Sequence, residues 1–319
     1  MKLSRYILLF FLAVSISGCG SKGKKSDDLV IFHAGSLTLP IKAAIDSFTL
    51  VHPNVKILTE GAGSVECARK ITELNKRCDI FFSADYAVIK KLANDSKTDW
   101  YIPFAGNSMV LVYNPNSEVA NVINSNSWLD VLLQNKYHYG RSDPNSDPCG
   151  YRTELVLKLA EKYYNRPGVA DSILAKDNRF IRPKEVDLVA HIEAGSIDML
   201  FIYKSVAMQH GLPFIELPVE VNLSSADFAE TYSTVSVEIT GKTPGSTMTI
   251  KGEPMVYGLT IPKTAENTDL AIEFLEYFLR KDGGMAIMEK MGQTSLVPYP
   301  TDVYGNIPDE LKKFALPAK

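Results

Sequence analysis

The chain has 319 residues, 34 Lys and Arg against 37 Asp and Glu, and a formal net charge of −3 at neutral pH. Hydrophobic residues make up 45% of it, enough for one large core or two modest ones. The balance is slightly acidic and no basic stripe runs through the sequence, which argues against nucleic acid as a partner.

The first residues, MKLSRYILLFFLAVSISGCG, place a basic start (Lys2, Arg5) before a short apolar run from Tyr6 to Val14. The run is well short of the roughly 20 apolar residues that span a bilayer, so residues 1–18 read as a secretory signal peptide. The small residues before Cys19 resemble the cleavage box of bacterial lipoproteins, which implies cleavage there and lipid on the Cys19 sulfur. The polar segment that follows, GSKGKKSDD, suits a tether, so 19–28 is expected to hold the domain off a surface. Loss of Lys2 and Arg5 with the leader takes the net charge from −3 to −5. No later segment is apolar enough to span a membrane. Besides Cys19 the chain has Cys67, Cys78 and Cys149, an odd set for a disulfide framework. Cys67 and Cys78 fall at opposite ends of one expected helix, on the order of 15 Å apart, so all three read as thiols. The His residues are scattered and no CxxC or HExxH occurs, which leaves no zinc motif.

Leu29 to Gly35 (LVIFHAG), Val55 to Ala62 and Cys78 to Asp85 read as strands. LPIKAAIDSFTLVHP and SVECARKITELNK lie between them as helices. In the first helix Ile41, Ala44, Ile45 and Phe48 form a stripe, Pro40 suits the first turn and Pro53 follows the stop. This alternation predicts a βαβ pattern with a parallel sheet. Ser108 to Ser117 is a strand running into a turn. SDPNSDPCGYRTELVLKLAEKYY starts as a turn with two Asp-Pro steps and continues as a helix, with Tyr151, Leu155, Leu159 and Tyr163 every four residues. KEVDLVAHIEAGSIDMLFIYKS reads as a helix stopped at Gly195 and a buried strand from Met199 to Tyr203. Met255 to Ile261 is a further strand, and a helix follows from about Asp269 to Arg280. Met109 to Tyr113 and Met255 to Ile261 are either ordinary sheet strands or hinge strands between two lobes; pattern alone does not choose.

Four helix entrances share a composition. Gly35 and Ser36 precede the first helix, Gly63 and Ser64 the second, Asp147 to Gly150 the third, and Pro183, Lys184 and Glu185 the fourth. A helix start offers unpaired N–H groups and a partial positive charge, so it attracts anions. In open α/β sheets ligands bind at strand carboxyl ends, where helices begin. Taken singly, each residue has a plain role. Ser36 and Ser64 suit helix caps, Asp147 suits a turn before Pro148, Glu185 suits a first turn, and Tyr203 suits the core.

FHAGSL, GAGSV, SDPCGYRTELVLKLAEKYY, RPKEVDLVAHIEAGSID and FIYKSVAMQHGLPFIELP together resemble, in order and over the whole mature chain, the tungstate/molybdate-binding lipoproteins of ABC importers. The resemblance implies an α/β periplasmic-binding-protein fold of two lobes, each a mainly parallel sheet flanked by helices, joined by two hinge strands. Lobe I would comprise 29–112 and 256–319, and lobe II 113–255. It further implies an oxyanion held by Gly35, Ser36, Ser64, Asp147, Pro148, Cys149, Glu185 and Tyr203, with Cys149 giving its backbone rather than its thiol. The implied setting is a monomer, lipid-anchored on the extracytoplasmic face, delivering tungstate or molybdate to a membrane permease without chemistry and without a cofactor.

The two carboxylates test that expectation, since at about 4 Å two unit charges repel by a few kcal/mol even at an effective dielectric near 20. The carboxyls could be protonated, could accept a hydrogen bond from hydrogen phosphate, or could bind the central metal and expand its oxygen shell. The resemblance implies the third, with direct coordination by Asp147 and Glu185, which sulfur in sulfate cannot accept. The other readings are a receptor for phosphate or another oxyanion, a hydrolase using the carboxylates as an acid/base pair, and a surface adhesin or sensor.

Overall fold

A computed structural model describes residues 28–318 apart from 242 and 244. The expected leader over 1–18, the expected lipidation site Cys19 and the tether up to residue 27 lie outside the described residues. Asp28, counted with the tether, already pairs with Lys56 in a sheet. No helix among the described residues is long and apolar enough to cross a membrane.

The first sheet is built by the expected βαβ units. Strand β1 (Asp28–Ala34) leads into α1 (Thr38–Val51), β2 (Lys56–Ala62) into α2 (Ser64–Thr72), and β3 (Ile80–Ser83) into α3 (Tyr86–Asn94). In α1, Pro40, Ile41, Ala44 and Phe48 are buried, so the stripe seen in the sequence is the face laid on the sheet. Strand β1 pairs in parallel with β2 on one side and β3 on the other. Strand β4 (Ile102–Gly106) belongs to this sheet and β5 (Met109–Tyr113) to the second.

The second sheet adds β6 (Tyr139–Ser142), β7 (Ile181–Arg182), β8 (Met199–Tyr203) and β9 (Phe214–Glu216), in the order β7-β6-β8-β5-β9. Before β6 runs the short helix α4 (Trp128–Leu133), and between β6 and β7 runs α5 (Pro148–Tyr163). A hairpin of β10 (Ser236–Thr240) and β11 (Thr247–Lys251) packs on α5 through β10, and Lys158 Nζ donates to the Ser236 carbonyl. Strand β12 (Val256–Thr260) and the edge strand β13 (Thr294–Ser295) complete the first sheet, β13-β4-β12-β3-β1-β2.

Each sheet is parallel where a helical crossover makes it so and antiparallel elsewhere. In the first, β12 runs against both β3 and β4. In the second, β6 is parallel to β7 and β8, while β5 runs against β8 and β9. The antiparallel strands enter from the other sheet and have no crossover helix to turn them round. The chain passes between the sheets at Asn107–Ser108 and returns over Gly252–Met255, at the start of each strand expected to act as a hinge.

Apolar packing is continuous through both halves: Ile31, Phe82, Phe104 and Phe278 on one side, Trp128, Leu155, Phe201 and Val206 on the other. Along α5 the expected stripe holds for Tyr151, Leu155 and Leu159, whereas Tyr163 is exposed at the helix end. At its start α5 is buried all round, from Pro148 through Thr153, because there it lies between the two sheets.

Candidate functional site

The carboxyl ends of β1, β2 and β3 face those of β6, β7 and β8, and all eight residues singled out in the sequence lie there. Gly35 and Ser36 form a turn of 3₁₀ helix after β1, and Ser64 opens α2 after β2. Asp147, Pro148 and Cys149 start α5 after β6; Glu185 opens a 3₁₀ turn after β7; Tyr203 ends β8. All are buried, and Ser64, Asp147, Cys149, Glu185 and Tyr203 have no exposed surface at all.

The two halves touch across this line. Glu66 N–H donates to the Ser146 carbonyl at 3.2 Å. A Cβ on Gly63 would stand 2.2 Å from that same carbonyl oxygen, so only glycine permits the approach. A Cβ on Gly35 would stand 3.1 and 3.2 Å from the two carboxylate oxygens of Glu185. Gly35 therefore gives the Glu185 side chain its space across the cleft.

The carboxylates sit together. Asp147 Oδ2 accepts from Glu185 N–H at 3.0 Å, and Oδ1 accepts from Cys149 N–H at 3.3 Å. The Cys149 N–H, expected to reach the ligand, is thus turned to Asp147, as the cap geometry of α5 requires. Its thiol faces the Phe201 carbonyl, and burial pushes the thiol well above its ordinary range. Pro148 has no N–H and serves as the first residue of the helix. Glu185 differs from its neighbour: both its carboxylate oxygens are buried with no hydrogen-bond partner among the described residues. Burial first, and the charge of Asp147 second, hold Glu185 well above the usual carboxylate range. Burial also raises Asp147, against the neighbouring Glu185 and Ser142 side chains and the N–H groups of Cys149 and Glu185. The pair as it stands favours holding a proton.

The hydroxyls are not caps. Neither Ser36 nor Ser64 makes a side-chain cap bond; each accepts a donor from behind. Ser64 Oγ accepts from Ala84 N–H at 3.0 Å. Ser36 Oγ accepts from Tyr257 OH at 3.2 Å, and Tyr257 OH accepts from Asn107 Nδ2 at 2.8 Å. Asn107 is fixed in that orientation because its Oδ1 accepts from the N–H groups of Ser108 and Ser205. Tyr203 OH accepts from Arg152 Nη1 at 3.0 Å. Since a hydroxyl has one proton, each of the three still has its own proton to donate.

Sequence reasoning missed that rear layer: Ala84, Asn107, Arg152 and Tyr257. Arg152 stood in the quoted DPCGYR stretch, but nothing in a linear pattern shows that a helix start is enclosed on every side. Ser142 was also missed. It ends β6, and its buried Oγ, without a hydrogen-bond partner among the described residues, lies beside Asp147 and Cys149. The cysteines are as expected: Cys67, Cys78 and Cys149 are free and buried.

Residues 29–294 match the profile of the bacterial extracellular solute-binding protein family. An uncharacterized solute-binding protein of Petrotoga mobilis is 46% identical over 292 residues, 90% of this chain and 89% of its own. The molybdate/tungstate-binding protein WtpA of Thermococcus kodakarensis is 38% identical over 340 residues, 95% of this chain and 94% of its own. Among solved structures, the periplasmic molybdate-binding protein of Azotobacter vinelandii aligns with a TM-score of 0.60 at 18% identity, covering 83% of this chain and 98% of that one. That last likeness is one of fold, the two-lobed fold of periplasmic binding proteins, with the lobes carried here by the two sheets.

Proposed function

We propose, since the chain belongs to the family of bacterial extracellular solute-binding proteins, that it captures a tungstate or molybdate oxyanion between its lobes and delivers it to the membrane permease of an ABC importer. In this reading the protein is exported and held at the membrane by lipid on Cys19, works as a monomer and performs no chemistry on its ligand. The relative at 38% identity that binds molybdate and tungstate supports the ligand class.

One observation carries the reading. The Glu185 carboxylate is buried, has no hydrogen-bond partner for either oxygen among the described residues, and lies beside a second buried carboxylate, Asp147. A buried unsatisfied acid is costly and calls for a cationic centre. A metal that brings its own oxygens meets that need. Asp147 and Glu185 would coordinate the tungsten or molybdenum directly, and the hydroxyls of Ser36, Ser64 and Tyr203 would donate to its oxygens. Gly35 leaves room for the Glu185 side chain, and Pro148 and Cys149 hold Asp147 in place. Metal–oxygen bonding offsets the repulsion that the carboxylates exert on the anion.

Calorimetric titration with tungstate, molybdate, sulfate and phosphate tests this. The expected result is tight binding of the first two, with nanomolar affinity corresponding to about −12 kcal/mol, and none of sulfate. Sulfate within about tenfold of molybdate, a difference of about 1.4 kcal/mol, would overturn the coordination.

A further inference from the structure

Arg152 is a charged side chain that touches a proposed ligand residue and the opposite lobe at once. It projects from α5, and 2% of it is exposed. Its Nη1 donates to Tyr203 OH at 3.0 Å, within the second lobe, and to the Ala84 carbonyl at 2.7 Å, in the first. Its Nη2 stands 3.2 Å from Asp85 Oδ2, also in the first lobe. Asp85 is itself fixed: Oδ1 accepts from Ala87 N–H as the cap of α3, and Oδ2 accepts from Tyr151 OH at 2.6 Å. The Ala84 peptide serves both sides of the cleft. Its N–H donates to Ser64 Oγ and its carbonyl receives Arg152.

The chemistry of the groups gives this arrangement a direction. A guanidinium has donors only, in a rigid fork. Tyr203 can therefore only accept from it, and its own proton must go elsewhere. We propose that Arg152 is a positioning residue: it aims the Tyr203 hydroxyl proton at the bound oxyanion, and it is held in the orientation that does so by Ala84 and Asp85, which are in reach only while the lobes are closed. The inference rests on the reading of the site as an oxyanion clamp. It makes closure and ligand contact one event. Separating the lobes takes the carbonyl and the carboxylate from a buried guanidinium, the side chain turns to find other partners, and Tyr203 loses the donor that fixed its polarity. Asp85 alone could be a local ion pair, and Tyr203 alone a core tyrosine. It is the one guanidinium, with Nη1 on Tyr203 and Ala84 and Nη2 beside Asp85, that ties them.

The test is a double-mutant cycle on the full mature chain, by calorimetric titration with sodium tungstate. Tyr203→Phe should weaken binding about tenfold, the loss of one hydrogen bond. Arg152→Gln should weaken it about a hundredfold, and adding Tyr203→Phe to it should cost nothing further. Asp85→Asn keeps the Arg152–Tyr203 bond but weakens the tie between the lobes. It should give a larger radius of gyration without ligand by solution scattering, while Tyr203→Phe in that background still costs about tenfold. Should Arg152→Gln fail to fold, Arg152→Lys supplies the cycle. It keeps the charge but a single ammonium point serves fewer partners, so its loss falls between parent and Gln. Additive losses of Arg152 and Tyr203 variants, or an Arg152 variant within about threefold of the parent, overturn the proposal while leaving the proposed ligand intact. A parent that binds no oxyanion overturns the proposed function and this inference together.

Discussion

Glu185→Gln is the most informative single change, because the structure assigns it two opposite effects. In the protein without ligand, the Glu185 carboxyl is fully buried, lacks hydrogen-bond partners among the described residues and lies beside Asp147. An amide in its place carries no charge, and its N–H₂ can donate to the Asp147 carboxylate. Relief of an unsatisfied buried polar group amounts to about 1–3 kcal/mol. For a chain of this size each kcal/mol raises Tm by roughly 2 °C, so a gain of a few degrees is expected. The sign of the pH dependence follows from the raised pKa. The folded state holds the Glu185 proton more tightly than the unfolded chain does, so this group stabilises the parent most below its ordinary value and progressively less as pH rises toward its folded value. The advantage of the Gln variant must therefore grow with pH. With ligand the effect reverses. An amide oxygen is a poorer ligand for a highly charged metal, and tungstate affinity should fall by about 2–4 kcal/mol, comparable to truncating one partner of a buried charged contact. Calorimetric melting with and without tungstate reads both effects from one sample. A variant that melts lower without ligand and binds tungstate as tightly as the parent would show that the carboxylate is structural and refute the reasoning.

Three further outcomes follow. X-ray absorption on bound tungsten should report six-coordination in the parent and fewer ligands in Asp147→Asn or Glu185→Gln; a four-coordinate parent would defeat direct coordination whatever the affinities. Ser36→Ala and Tyr257→Phe should each cost about 1 kcal/mol of affinity, and together little more, since one hydroxyl serves the other. Glu253, on the chain's return between the sheets, is held up to about 7 by burial and by Asp85, so it destabilises the fold as pH rises from its ordinary value of 4.5 toward 7. Glu253→Gln should flatten that part of the pH profile of Tm, and an unchanged profile would remove Glu253 as its cause.

How much of this was legible in the sequence depends on the range of each interaction. The helix α1 and its flanking strands were readable because a stripe such as Ile41, Ala44 and Phe48 is local and periodic. The short strands β6 and β7 gave too few residues to show a period. Direction within the sheets was half legible: crossover helices announce parallel pairs, while nothing local announces that β12 arrives from the other sheet. At the site, residue types at helix entrances marked positions that the fold brings together, but not the local partners of their side chains. Ser36 and Ser64 look like caps, yet their oxygens receive Tyr257 and Ala84 from 221 and 20 residues away in the chain. Polarity of a hydroxyl is set by such distant partners, and so it is invisible to pattern.

Those polarities bear on the choice between tungstate and phosphate, the alternative that a carboxylate in an anion site always raises. The three hydroxyls proposed as donors would serve the bare oxygens of either anion equally well, so they do not discriminate. The carboxylates do. Hydrogen phosphate brings one proton, which satisfies one acceptor. The second carboxylate would then face the anion unprotonated, or hold a proton of its own. In the first case it meets a repulsion of a few kcal/mol at about 4 Å in an effective dielectric near 20; in the second it donates one ordinary hydrogen bond, as any hydroxyl would, and selects no anion. Sulfate, with no proton at neutral pH, meets this difficulty at both carboxylates. A central metal able to add two oxygens uses both at once and needs no proton from either. The decisive residue is therefore Glu185, the second acid. With Asp147 alone, its oxygens already engaged by the N–H groups of Cys149 and Glu185, a phosphate receptor would be the simpler reading. With Glu185 buried beside it and unpartnered, coordination accounts for both.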